Sequence, residues 1–278
     1  MRVGKKVRVI VLTGNGINCE YETAHACKLG GADTIDTVHI NELLGGERTL
    51  DEYHLLCLPG GFLDGDDLGA AKACANRFRH AAIASTGERF WDRLVHFIEN
   101  GRLILGICNG FQLMAKLGLA PALEGGYGEQ EVTMTVNDSG RFEDRWVHLK
   151  VNTASPCVFT KGLERIYLPI RHGEGKFLTA GPSITKQLKK KGLICLHYTD
   201  EAYREATMEY PFNPNGSVEG VAGICNETGR IFGLMPHPEA YVHRTHHPRW
   251  TREKELPEEG AGVAIFRNAV EYIREEVL

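Results

Sequence analysis

The feature that most constrains this chain is an alternation between residues 7 and 118. Apolar runs too short for helices are separated there by stretches with helical spacing. VRVIVL (7–12), DTVHI (36–40), YHLLCLPGG (53–61) and RLILGI (102–107) read as strands, and the Pro-Gly-Gly of the third stops pairing at its carboxyl end. CEYETAHACKLG (19–30), closed by Gly30 and Gly31, and FQLMAKLG (111–118), closed by Gly118, read as helices. An Ala-rich helical region leads into a third helix, FWDRLVHFIENG, where Phe90, Leu94, Val95, Phe97 and Ile98 recur at helical spacing. Strands alternating with helices imply an α/β fold: a mostly parallel central sheet with helices on both faces. Ligands bind such sheets beyond the carboxyl ends of the strands.

From about residue 130 the runs shorten to EVTMTV, RWVHLKV, RIYLPI, GLICLHY, VAGICN and IFGLMP, with turns such as NPNG and ETG between them. These predict hairpin and mixed-sheet strands, a more antiparallel C-terminal extension of the sheet. No internal repeat or low-complexity linker divides the chain, so one domain over 1–278 is expected. Residues 241–262 are polar and predict an exposed surface insertion before a final helix, VAIFRNAVEYIREEVL.

A net charge of -4, from 32 basic and 36 acidic residues, provides no field to gather phosphates and argues against nucleic acid as a partner. A small neutral or zwitterionic substrate fits better. The apolar run before Gly14 is too brief for a signal sequence or a membrane span, so no membrane partner is expected. The eight cysteines are scattered without a CxxC pair, mostly within apolar stretches, as reduced cytoplasmic thiols are.

One cysteine is different. Cys108 lies between Gly106 and Gly110 where a strand turns into a helix, the thiol version of a nucleophile elbow. The glycines are expected to let the chain turn tightly and a substrate approach. A helix N-terminus favours thiolate, and the N–H of Asn109 is placed to form half of an oxyanion hole. A nucleophilic thiol needs a base, and the base needs a partner to orient it. GLMPHPEA supplies both: Pro236 and Pro238 hold the segment extended, so His237 and Glu239 leave it on the same side. IFGLM is a further strand that ends where Cys108 would be.

With Gln112 four residues after Cys108 and a distant His-Pro-Glu, the chain resembles the class I glutamine amidotransferases. LPGGF with a following GD, GICNGFQ, RHGEG, NPNGS and MPHPE make it most similar to the glutaminase components of phosphoribosylformylglycinamidine synthases, over residues 7 to 240. The resemblance implies a three-layer, flavodoxin-like fold. It implies that Cys108, His237 and Glu239 are catalytic, that Gly61 and Asn109 offer oxyanion-hole N–H groups, and that Gln112, Gly173 and His172 hold glutamine, with Glu174 in the same loop. Glutamine is then hydrolysed through a cysteinyl thioester, and its ammonia passes to a synthetase subunit, with room for a small third subunit. No cofactor or metal is expected in this chain; ATP and Mg belong on the synthetase.

Leu63 and Asp64 replace the Ser-Tyr usual after GGF in the family, and Ala240 replaces the common arginine; these changes predict altered local support with the catalytic trio intact. Extra residues near 79–92 and in 241–262 are open to a role in partner contact. TGNGINCE lacks the third glycine of a dinucleotide fingerprint and predicts a tight turn. His243, His246 and His247 lack metal-ligand spacing and lie among arginines, which predicts a solvated loop. Two other readings fit the same thiol: a free-standing γ-glutamyl cysteine hydrolase, and a non-enzymatic thiol sensor or chaperone that needs neither His237 nor Glu239.

Overall fold

In the computed structural model, which describes residues 6–278, the apolar runs of the N-terminal half become strands joined by helices. The residues before 6, the start of the stretch read above for a leader, lie outside the described residues. In chain order the elements are β1 (Arg8–Thr13), α1 (Glu20–Leu29), β2 (Thr34–His39), α2 (Ile40–Gly45), β3 (Leu55–Leu58), α3 (Lys72–His80), α4 (Phe90–Glu99), β4 (Leu103–Ile107) and α5 (Asn109–Leu117). They continue with β5 (Val132–Thr135), β6 (Glu143–Val151), β7 (Arg165–His172), β8 (Lys176–Thr179), α6 (Pro182–Lys190), β9 (Ile194–Thr199), β10 (Val221–Cys225), β11 (Ile231–Leu234) and α7 (Val263–Tyr272).

Nine strands form one sheet in the order β2-β1-β3-β4-β11-β10-β9-β6-β7. The pairings from β2 to β11 are parallel, and those from β11 to β7 are antiparallel. Every residue of β3, β4, β10 and β11 is buried, so the middle of the sheet is covered on both faces. Among the helices, α1 packs with α7, and α3 packs with α4 and α5.

Three elements differ from expectation. Ile40 does not extend β2 but opens α2, because the Glu42 carboxylate accepts the His39 N–H (2.9 Å) while His39 Nδ1 accepts the Asn41 N–H (3.1 Å), a reciprocal cap. EVTMTV does not join the main sheet; β5 pairs with β8 in a separate antiparallel ribbon. Helix α6 went unread because Leu188 is its one buried side chain, which leaves almost no apolar period.

The segment 241–262 is exposed through most of its length but anchored at its start. Tyr241, Val242 and His247 are buried, and the His247 ring lies 5.6 to 5.8 Å from the rings of Tyr167, Trp146 and Tyr241. Among the described residues no helix is long and apolar enough to cross a membrane.

Candidate active site

Strand register brings the site together. Leu58 pairs with Gly106 and Ile107 with Leu234, so the segments following β3, β4 and β11 leave the sheet side by side at one edge. Those segments carry Gly60 and Gly61, Cys108, and His237. The Cys108 N–H donates to the Leu234 carbonyl (2.8 Å), tying nucleophile strand to base strand at the last rung. The turn after β1 opens at the same edge, where Ile17 bridges Gly61.

Cys108 has φ 52° and ψ −105°, a strained conformation for a residue with a side chain. The turn therefore does not use its glycines as expected: the positive φ falls on the cysteine itself. Gly106 and Gly110 are needed for close packing instead. A Cβ on Gly110 would lie 1.9 Å from the Leu58 carbonyl oxygen, and one on Gly106 would lie 2.1 Å from Met114 Sδ. Their absence lets α5 seat against β3 and β4, with its N-terminus at the thiol.

His237 and Glu239 leave their Pro-flanked segment together, as expected, and Nδ1 of the imidazole lies 2.5 Å from Glu239 Oε1. Both side chains are buried. Burial alone would push the His237 pKa down, but the Glu239 carboxylate and the nearby Cys108 thiol outweigh it and hold the imidazole well above its ordinary value. Its Nε2 is buried without a hydrogen bond; Cys108 is within electrostatic reach but outside hydrogen-bond geometry. The thiol itself points at the Arg171 carbonyl (3.7 Å). A thiol, an imidazole with a free nitrogen and a carboxylate paired with that imidazole are thus brought together.

The two donors expected to bind an oxyanion are also in place. Around the Ile17–Gly61 bridge the hydrogen bonds run from Phe62 N–H to the Gly16 carbonyl (2.7 Å) and from Asn18 N–H to the Gly60 carbonyl (3.4 Å), so Gly61 N–H takes no part in the pairing. Asn109 opens α5, where N–H groups have no intrahelical acceptor. The Asn109 side chain does something its backbone role did not reveal. Its Oδ1 accepts the Leu63 N–H (3.1 Å) and its Nδ2 donates to Gln112 Oε1 (3.1 Å), fixing the Gly61 loop relative to the elbow.

Gly61, Cys108 and His237 face one cavity of about 390 Å³, lined also by Asn18, Cys19, Asp66, Phe142, Arg171 and Glu174. A family model described as a CobB/CobQ-like glutamine amidotransferase domain matches residues 6–273 of the chain. The chain belongs to this glutamine amidotransferase family. It is 45% identical over 271 residues to the phosphoribosylformylglycinamidine synthase subunit PurQ of Dehalococcoides mccartyi, with 97% of this chain and 99% of the relative covered. It is 43% identical over 274 residues to the subunit of the same name from Methanococcus maripaludis, with 95% and 97% covered. Among solved structures it is similar to a chain of PurLQS from Thermotoga maritima, with a TM-score of 0.67 and 28% identity, covering 97% of this chain and all of that one (100%).

The remaining sequence-read residues of this amidotransferase all border the cavity. Gln112 is buried, not facing solvent; its Nε2 donates to the Glu174 carbonyl (2.6 Å), so it braces the 172–175 loop. Gly173 exposes its backbone to the cavity and accepts the Asn137 N–H (2.9 Å). His172 is buried with neither ring nitrogen hydrogen-bonded, and burial together with neighbouring His237 pushes its pKa down to about 3. Backbone groups do not satisfy it.

Leu63 fits its position as a core residue, whereas Asp64 pairs with Arg77 (3.2 Å). Two neighbours of the base escaped sequence reading. Arg171 Nη2 stands 3.4 Å from His237 Nδ1 and 3.8 Å from Glu239 Oε1, and Cys19 Sγ lies 3.7 Å from the same nitrogen. The available signal was topological: TGNGINCE forms the expected turn, but it follows a strand next to β3 and must open at the same edge.

Cys19, His237 and Glu239 bring ligand-type atoms within 4.8 Å of one another. The Arg171 guanidinium in their midst opposes a cation there. His243, His246 and His247 do not converge on one point: His243 Nε2 meets Glu258 (2.7 Å), His246 Nδ1 accepts the Val242 N–H (3.3 Å), and His247 packs among aromatic rings. Asp66, Glu174 and Arg171 give the cavity charges of both signs, which suits a zwitterionic ligand.

Proposed function

We propose that the chain is the glutaminase subunit of a phosphoribosylformylglycinamidine synthase, hydrolysing glutamine and supplying ammonia to a synthetase partner. The observation that carries this reading is that the Cys108 elbow and His237, paired with Glu239 at 2.5 Å, border one cavity of amino-acid size. The relatives named above are subunits of that synthase, and the similar solved chain belongs to PurLQS.

Cys108 thiolate attacks the side-chain amide carbon of glutamine, and the oxyanion of the tetrahedral intermediate is held by the Gly61 and Asn109 N–H groups. His237 gives its proton to the departing nitrogen, the C–N bond breaks, and ammonia leaves a γ-glutamyl thioester. His237, oriented by Glu239, then takes a proton from water, which attacks the thioester. Collapse returns the thiolate and releases glutamate. Gln112, Gly173 and His172 shape the pocket for glutamine. This chain needs no cofactor for these steps; ATP and Mg serve the synthetase, which makes the amidine from formylglycinamide ribonucleotide in purine biosynthesis. The setting is the cytoplasm.

Intact mass after incubation with a diazoketone analogue of glutamine tests the proposal. One adduct on the wild type, blocked by glutamine and absent from Cys108→Ala, is expected. No adduct with or without the synthetase would rule out a thiol glutaminase. Glutaminase rates should rise when synthetase, nucleotide and ribonucleotide substrate are added; equal rates would remove the coupling and leave a free-standing hydrolase.

A further inference from the structure

The sheet edge opposite the glutaminase cavity gathers three of the remaining thiols. β10 runs antiparallel to β11, so its carboxyl end, with Cys225, lies away from His237. Ile194 pairs with Ile224 and the Cys225 N–H donates to the Leu193 carbonyl (3.0 Å), which brings the stretches carrying Cys195 and Cys225 together, and Cys157 approaches from the turn preceding Val158–Thr160. All three are buried and free, and their Sγ atoms lie within 4.8 Å of one another. A fourth donor stands with them: Ser155 Oγ is 3.5 Å from Cys195 Sγ and 3.7 Å from Cys225 Sγ.

We propose that Cys157, Cys195 and Cys225, with Ser155 Oγ as the fourth donor, form a structural zinc site. Zinc–sulfur bonds of about 2.3 Å in a tetrahedron set sulfurs about 3.8 Å apart and a sulfur and an oxygen ligand about 3.6 Å apart. The hydroxyl distances already match, and the sulfurs need to close by no more than about an ångström. Buried cysteines alone are ordinary core residues. Packing, however, does not require thiols from three separate segments and a hydroxyl to meet at one point.

Charge selects the metal. Three thiolates around a dication leave a net charge of −1, whereas a monovalent copper ion would leave −2 in a dry interior. Binding displaces the three thiol protons to water. An entry path exists, because Ser155 and Cys157 line a surface cleft of about 420 Å³. The ion would pin the 152–158 loop to β9 and β10, and with it the Val158–Thr160 turn on which α7 packs. The spacing of these cysteines carries no metal-site signature, so the site is visible only in the fold.

The test uses the full-length reduced protein, loaded with zinc chloride and freed of loose metal on a weak chelating resin. Elemental analysis should find one zinc per chain in the wild type and in Cys108→Ala, with affinity weakened by about tenfold or more in Cys195→Ala, since even indirect partners of a zinc site cost that much. X-ray absorption at the zinc edge of the wild type should show three sulfurs and one light atom, and cobalt substituted for zinc should give thiolate charge-transfer and tetrahedral d–d bands. The spectroscopy needs no variant, so misfolding of Cys195→Ala would not shelter the idea. No retained zinc, zinc lost in Cys108→Ala or Cys19→Ala in place of Cys195→Ala, or a mass two hydrogens light from a disulfide within the trio would each overturn it.

Discussion

The parallel and antiparallel halves of the sheet contribute to the site in different ways. In the parallel half, β1, β3, β4 and β11 all run toward one edge, so each following loop reaches the cavity without further design: Asn18 and Cys19, Gly61, Cys108, His237. In the antiparallel half only alternate strand ends face that edge. Its contribution to the cavity lining is Phe142 and the Arg171–Glu174 segment, the latter held by hydrogen bonds from Gln112 to the Glu174 carbonyl, from Asn137 Nδ2 to the His172 carbonyl and from the Gly175 N–H to Asn137 Oδ1. Strand direction thus positions the chemistry in one half, and side-chain braces position it in the other.

The largest effect should come from the parallel half. Cys108→Ala should lower glutamine-dependent synthesis by roughly 10⁴-fold or more while sparing synthesis from added ammonia, as measured with the synthetase present. Loss of both activities would mean that the elbow also supports the partner's reaction. Next comes Glu239→Gln, which keeps shape but removes the carboxylate that orients His237; kcat should fall about 100-fold or more with little change in KM. A rise in KM alone would make Glu239 a binding residue.

The brace between the halves should matter less. Gln112→Leu removes the bonds to Asn109 and the Glu174 carbonyl, so KM for glutamine should rise roughly tenfold while the diazoketone adduct still forms on Cys108. An unchanged KM would show that the 172–175 loop holds its place without the brace.

The smallest effect concerns stability, and it belongs to the antiparallel half. His172 is neutral in the fold with its pKa near 3, against about 6.5 in the unfolded chain. Its contribution is complete above the unfolded value and falls away as pH drops from about 6.5 toward 3, because the unfolded state then binds the extra proton. Between pH 7 and 5 this amounts to about 2 kcal/mol. Urea unfolding of His172→Gln should lose that much less stability over the interval than the wild type; parallel curves would mean that the ring is hydrated in solution.

Cys108, His237 and Glu239 were legible because each follows a short apolar run with Gly or Pro at its end, and a parallel strand's direction is implied by the helices between strands. Arg171 and Cys19 were not. Their contact at the base joins distant segments: Cys19 Sγ and the Arg171 guanidinium meet across 152 residues of chain. The glycines of the elbow were read correctly as necessary but for the wrong reason, since backbone dihedrals and the approach of Leu58 are not written in local pattern.

Period and punctuation in the sequence therefore determined the class of fold, the candidate trio Cys108, His237 and Glu239, and the sheet edge that carries them. These follow from local rules: how far an apolar run extends, what ends it, and which chemistry a thiol needs beside it. Only the tertiary structure decided which loops share the cavity, that Gln112 and Asn109 act as braces, that β5 leaves the main sheet, and that three distant cysteines meet with Ser155 at the opposite edge. Those outcomes depend on the order of strands in the sheet and on contacts between residues far apart in the chain, which a local pattern does not encode.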